Sequence, residues 1–182
     1  DGVLADPENL EAMHDEALRL TRLLHDISRL TDAEQPGLLL EKTVLDLAEV
    51  AKASAGSFEP LFVEAGISLE IDTKPVWIEG SAARLDQVVS NLLSNALRYT
   101  STKGFVSVKV ERIGQEAVLE VRDTGVGIAA EDLRHIFTRF WRADPSRSPE
   151  TGGTGIGLAI VRELVRAHDG RIDVDSIVGE GS

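Results

Sequence analysis

Phe105-Val-Ser-Val-Lys-Val-Glu111 and Ala117-Val-Leu-Glu-Val-Arg122 each alternate apolar and polar residues, and Gly114-Gln115 stands between them. Period-two alternation buries one face of a segment and wets the other, so both stretches read as strands of a hairpin turning at the glycine. Outward from this pair the periodicity predicts a helix over about Leu45–Glu64, a strand at Ser68–Asp72 and a short strand at Val76–Glu79. A strongly apolar helix follows over about Ala82–Tyr99. Beyond the hairpin, Asp123–Gly153 reads as a loop with a short helix. A further helix runs over about Gly155–His168, with a strand after Gly170. Hairpin pairing, in place of regular βαβ units, favours an α+β class: a two-layer α/β sandwich and not a doubly wound sheet.

Residues 1–36 read as a separate unit. Asp6-Pro7-Glu8 supplies an N-cap, a proline at the first helical position and an acid facing the helix dipole. Leu10, Met13, Ala17, Leu20, Leu24 and Ile27 then recur three and four apart, the spacing of a coiled-coil seam. Leu18, Leu23 and Leu30 add a second stripe, which suits a bundle with more than one neighbour. Pro36-Gly37 punctuates the chain as a linker. The division is therefore 1–36 for the coiled-coil-like helix and linker, and 38–182 for the globular domain.

The 182 residues are 42% hydrophobic, carry a formal charge of −12 and include no cysteine. The acidic surface argues against a nucleic-acid partner, and disulfides and thiolate metal sites are excluded. No apolar run approaches the roughly 20 residues of a membrane-spanning helix, so no membrane contact is expected of this chain. It is expected to be a piece of a longer protein.

Four local patterns carry chemistry. In Asn91-Leu-Leu-Ser-Asn95-Ala-Leu-Arg98-Tyr99 the two amides lie one helical turn apart on one face. Such oxygens can ligate a hard cation such as Mg²⁺ without adding charge, while Arg98 offers a phosphate-pairing cation and Tyr99 a flat ring. Solvated or capping asparagines are the alternative. Asp123-Thr-Gly125-Val-Gly127-Ile128 follows a strand, its glycines allowing close approach of a ligand and its carboxylate able to accept from an exocyclic amino group. The stretch also imitates G-x-G-x-x-A, but no regular helix and parallel strand follow, so a dinucleotide fingerprint is set aside. Ile136-Phe137-Thr-Arg139-Phe140-Trp141-Arg142 and the polar run to Thr151 read as a lid with an aromatic foot, or as a plain surface loop. Gly152-Gly153-Thr154-Gly155-Ile-Gly157-Leu158 opens the last helix, where free N–H groups and the dipole favour an anion. No lysine follows these glycines, so this is not a P-loop.

In this order the four stretches resemble the N, G1, F and G2 boxes of sensor histidine kinases of two-component systems, members of the Bergerat-fold ATPase group. The resemblance covers about Leu38–Ser182, and Arg171-Ile-Asp-Val-Asp-Ser176 and Gly179-Glu-Gly181-Ser182 match the family's closing strand and G-x-G-[ST] turn. It implies ATP and Mg²⁺ as cofactors, with Asn91 and Asn95 on the metal and Arg98 and Tyr99 at the nucleotide. It implies that Asp123 reads adenine, assisted through water by Ser182, beside Gly125, Gly127 and Ile128. Gly153, Thr154, Gly155, Gly157 and Leu158 would shape the phosphate end. Arg139 and Arg142 would steady the γ-phosphate, Asn91 and Arg139 being the catalytic candidates.

Hydrolysing members of the group carry a glutamate where Asn91 stands, and an asparagine cannot act as that base. Residues 1–36 resemble the second helix of the dimerisation and phosphoacceptor hairpin. His14-Asp15 and His25-Asp26 lack the proline of the H-[ED]-x-x-x-P pattern, so the phosphoacceptor is expected to lie outside this chain. The resemblance further implies a homodimer through the N-terminal helix, a response regulator as partner, and the cytoplasmic portion of an inner-membrane kinase as the setting. A Bergerat-fold serine kinase or ATPase, and a non-catalytic dimerising scaffold, are the competing readings.

Overall fold

The computed structural model describes residues 41–141 and 155–182. The elements in chain order are β1 (Thr43–Asp46), α1 (Leu47–Ala65), β2 (Ser68–Thr73), β3 (Trp77–Gly80), α2 (Ala82–Tyr99), β4 (Phe105–Ile113), β5 (Glu116–Asp123), α3 (Ala130–Leu133) and α4 (Gly157–Ala167). The helix expected over residues 1–36 lies outside the described residues.

Val106, Val108 and Val110 of β4 are fully buried and alternate with Ser107, Lys109 and Glu111. This one-sided burial fixes the register. β4 runs parallel to β2, with Leu69 beside Val106 and Ile71 beside Val108, and antiparallel to β5, giving the order β2-β4-β5. The parallel partner requires a crossover, and β3 and α2 provide it. The antiparallel partner needs only Gly114-Gln115, between the paired Ile113 and Glu116. Gly114 sits at φ 62°, the left-handed conformation that the first position of a tight hairpin turn demands.

Helices α1, α2 and α4 cover the apolar side. Phe62, Val89, Leu93 and the β4 valines form one core; Val88, Ile156, Ile160, Val161 and Leu164 form a second between α2 and α4. Among the described residues the fold is thus an α+β sandwich of the three-stranded sheet and one helical layer, with β1 and β3 forming a separate two-stranded ladder.

Two expectations are corrected. Leu45 was expected in a helix but belongs to β1, paired antiparallel with Ile78 of β3. Asp46 sets the boundary: its Oδ1 accepts from the Ala48 amide at 3.0 Å, capping α1, and from the Val76 amide at 2.8 Å. The strand expected after Gly170 has no ladder among the described residues. Residues 171–176 do alternate exposed and half-buried, but the edge of β5 is engaged elsewhere. Asp123 and Ser182 exchange both backbone hydrogen bonds, at 2.8 and 3.3 Å, and Ile177 bridges antiparallel to Gly181. The backbone pairing with the end of β5 therefore comes from Ser182, while Arg171 reaches β5 through its side chain, paired with Glu116 at 2.7 and 3.0 Å.

Candidate functional site

Helix α2 connects two ends of a site. At its C-terminus the Tyr99 carbonyl accepts from the Val126 amide at 3.1 Å, binding the helix to the loop after β5. Nearer its start, Asn91 faces Gly157: a methyl group on that glycine would stand 3.4 Å from Asn91 Oδ1. The eight-residue step from Asn91 to Tyr99 spans about 12 Å at 1.5 Å per residue.

Backbone contacts too close for side chains build the Tyr99 end. A Cβ on Gly125 would lie 2.5 Å from the Tyr99 carbonyl oxygen, and one on Gly127, at φ 67°, 2.1 Å from that of Ile177. The Gly179 amide donates to the Val126 carbonyl at 2.9 Å, locking the Ile177–Gly181 turn onto this loop. Asp123 stands half-buried at the end of β5, its Oδ1 accepting from the Gly125 amide at 2.8 Å. Burial holds its carboxyl above the usual aspartate range, against the pull of the Gly125 and Ser182 amides. Ser182 lies directly opposite Asp123 in the ladder. Ser176 accepts from the Ile128 amide at 2.7 Å and meets the Ser182 hydroxyl at 2.8 Å.

At the other end, Asn91 Nδ2 donates to the Gln87 carbonyl at 2.9 Å. Only the NH₂ can donate to a carbonyl, so this contact fixes the amide and turns Oδ1 away from the helix backbone. Asn95 is half-buried one turn on; Arg98 and Tyr99 are exposed. Gly155, at φ 73°, leads into α4, and a Cβ there would strike the Trp141 carbonyl oxygen at 2.7 Å. The N-cap Ile156 offers no side-chain acceptor, so the first amides of α4, those of Gly157 and Leu158, have none from the cap.

Arg139 is exposed in the turn after α3. Phe137 beside it packs under the Arg162 guanidinium, 5.8 Å from ring centre to Cζ, and Trp141 stacks on His135. The Phe140 amide donates to the Gly155 carbonyl at 3.0 Å. Arg142, Gly153 and Thr154, with the polar run read as a lid, lie outside the described residues.

Residues 80–182, more than half of the chain, match the family described as histidine kinase-, DNA gyrase B- and HSP90-like ATPase. The chain belongs to that family. Within these ATPases its relatives are sensor kinases. Sensor histidine kinase RppB of Synechocystis is 35% identical over 175 residues, covering 95% of this chain and 38% of that protein. Sensor protein SrrB of Staphylococcus aureus is 32% identical over 188 residues, covering all of this chain and 32% of that protein. The chain thus spans about a third of the length of these curated relatives. The Acinetobacter baumannii histidine kinase AdeS superposes with a TM-score of 0.74 at 26% identity, over 97% of this chain and 81% of that one. Full-length ShkA in complex with AMPPNP gives 0.81 at 26% identity, over 96% of this chain and 36% of that one. Over nearly its whole length the chain is thus similar to sensor histidine kinases.

Of the residues singled out in the sequence, folding brings Asp123, Gly125, Gly127, Ile128 and Ser182 together at one end of α2. Asn91, midway along the helix, faces Gly157 at the start of α4. Ser176 was legible only as the end of the closing strand, because its partners at Ile128 and Gly181–Ser182 are assembled in the fold.

Proposed function

We propose that the site holds Mg-ATP, with the base at the Asp123 end of α2 and the phosphates between Asn91 and the start of α4. The observation that carries this reading is Asp123: a half-buried carboxylate with one oxygen tied to Gly125. A carboxylate has more acceptor sites than the Gly125 and Ser182 amides fill, and an exocyclic amino group supplies a further donor. The outward Oδ1 of Asn91, with Asn95 one turn away, fits a hard cation that takes oxygen ligands. When bound, Mg²⁺ supplies charge neutralisation at the phosphates. The open amides of α4 suit the phosphates themselves, and Arg98, Arg139 and Arg142 add positive charge.

In the longer protein the γ-phosphoryl group passes to a histidine outside this chain, and thence to an aspartate of a response regulator. The chain's own residues bind and orient, and Asn91 provides no general base for water, which favours transfer over hydrolysis. Residues 1–36 serve as the second helix of the dimerisation hairpin, on the cytoplasmic side of a membrane-anchored sensor.

Calorimetric titration with Mg-ATP and Mg-ADP tests the reading. Binding that vanishes in Asp123→Asn, followed by phosphotransfer to a separately supplied dimerisation domain, is the expected outcome. A folded protein that binds neither nucleotide, or acid-labile phosphate appearing on His25, would overturn it.

A further inference from the structure

Ser176 stands where three segments meet. Its hydroxyl oxygen lies 2.7 Å from the Ile128 amide, 2.8 Å from the Gly181 carbonyl oxygen and 2.8 Å from the Ser182 hydroxyl oxygen. A hydroxyl has one proton and two lone pairs. The Gly181 carbonyl cannot donate, so that contact takes the Ser176 proton. One lone pair of Ser176 receives the Ile128 N–H. Only the other remains for Ser182, so Ser182 must be the donor between the two hydroxyls.

The direction of that one proton has a consequence. With its proton committed to Ser176, the Ser182 hydroxyl offers only lone pairs to anything beyond. Ser182 and Asp123 exchange both backbone hydrogen bonds, and directly opposed residues of such a pair project their side chains from the same sheet face. The carboxylate and the hydroxyl are therefore two acceptors side by side.

We infer that Ser176 is a positioning residue for base specificity: it holds the Ser182 hydroxyl as an acceptor, so that the site takes a base presenting an N–H donor and rejects one presenting a carbonyl. The inference rests on the nucleotide reading above. Ser176 itself touches no ligand. It acts through Ser182.

The test compares ATP with inosine triphosphate, which carries a carbonyl in place of the adenine amino group, by calorimetry on the whole chain. The wild type is expected to prefer ATP. In Ser176→Ala the Ser182 proton is free to turn toward a carbonyl, and the ATP preference should fall by about tenfold, the scale of one hydrogen bond. Ser176→Thr keeps the hydroxyl and should keep the preference. In a Ser182→Ala background, Ser176→Ala should leave the ratio unchanged. An unchanged ratio in Ser176→Ala, or equal weakening of both nucleotides, overturns the inference and leaves Ser176 a purely structural residue. Should Ser176→Ala fail to fold, Ser176→Cys carries the same comparison with a weaker donor and acceptor. Failure of the nucleotide site itself would look different: no ATP binding by the wild type, or full binding by Asp123→Asn, and either result removes the inference with it.

Discussion

Nε2 of His168 accepts the backbone N–H of Ser81 at 3.0 Å, joining the end of α4 to the residue that caps α2. The other ring nitrogen lies 2.7 Å from the Leu164 carbonyl oxygen. A carbonyl only accepts, so Nδ1 carries the proton and Nε2 is the acceptor that Ser81 requires. Ser81 makes no side-chain cap of its own, and a Cβ on the neighbouring Gly80 would press on the imidazole at 3.1 Å. The ring thus holds α4 against α2 at the end away from Asn91 and Gly157. Replacing His168 with Ala should cost about 1 kcal/mol in urea unfolding, the loss of one hydrogen bond to a part-buried donor. A loss within error of zero would show that water replaces the ring.

Asp123 makes stability and nucleotide affinity respond to pH in opposite senses. Burial raises its folded-state pKa above the unfolded value, so the native state holds the proton longer. The carboxyl's contribution to stability is present below the ordinary aspartate pKa of about 3.9 and is lost as pH rises through the raised value. At neutral pH, Asp123→Asn should therefore be at least as stable as the wild type by thermal melting. A donor ligand prefers the ionised carboxylate, so ATP affinity should weaken as pH falls through the same window. An Asn variant clearly less stable at neutral pH would contradict this account.

The glycines divide sharply by environment. Gly181 sits at φ 112°, and a Cβ there would lie 2.0 Å from the Asp123 carbonyl oxygen, in the ladder contact itself. Gly181→Ala should cost about 2 kcal/mol or more through backbone strain and clash, and should take ATP binding with it. Gly56 is exposed within α1 and has nothing within 4 Å of an added Cβ. There alanine should stabilise by roughly 0.5–1 kcal/mol, from the helix propensity difference alone. Chemical denaturation of the two variants reads both signs.

Asn91 offers a separation of affinity from stability. Asn91→Asp cannot donate to the Gln87 carbonyl and places a negative charge beside the first turn of α4. The dipole of that helix tolerates an anion, which partly offsets the lost hydrogen bond, so the melting temperature should move little. Phosphates in the same place are repelled, and Mg-ATP affinity should fall by about tenfold, the effect of roughly 1.4 kcal/mol. Unchanged affinity measured by calorimetry would move the phosphate end elsewhere.

The sheet and the helical layer could be read from the chain because their causes are local. Period-two valines in β4, Gly114 at the turn and the apolar face of α2 each act within a few residues of themselves. The start of α1 was misplaced for a non-local reason. Leu45 is apolar in either conformation, and it is the pairing of β1 with β3, with Asp46 reaching Val76, that makes it a strand residue. The expected strand at 171–176 met the same limit, since alternation predicts an exposed and a covered face but not which neighbour supplies hydrogen bonds.

The residue types along α2 and in the loops it meets were legible from the chain: amides one turn apart, an acid at a strand end, and glycines where backbones crowd. The turn of the Asn91 amide onto the Gln87 carbonyl is still local, four residues back on the same helix. The protonation of Asp123 and the direction of the Ser182 proton came only with folding, from burial and from Ser176. Direction and protonation depend on what lies opposite a group in space. The partners that set them here, at positions 128, 176 and 182, are brought together only by folding.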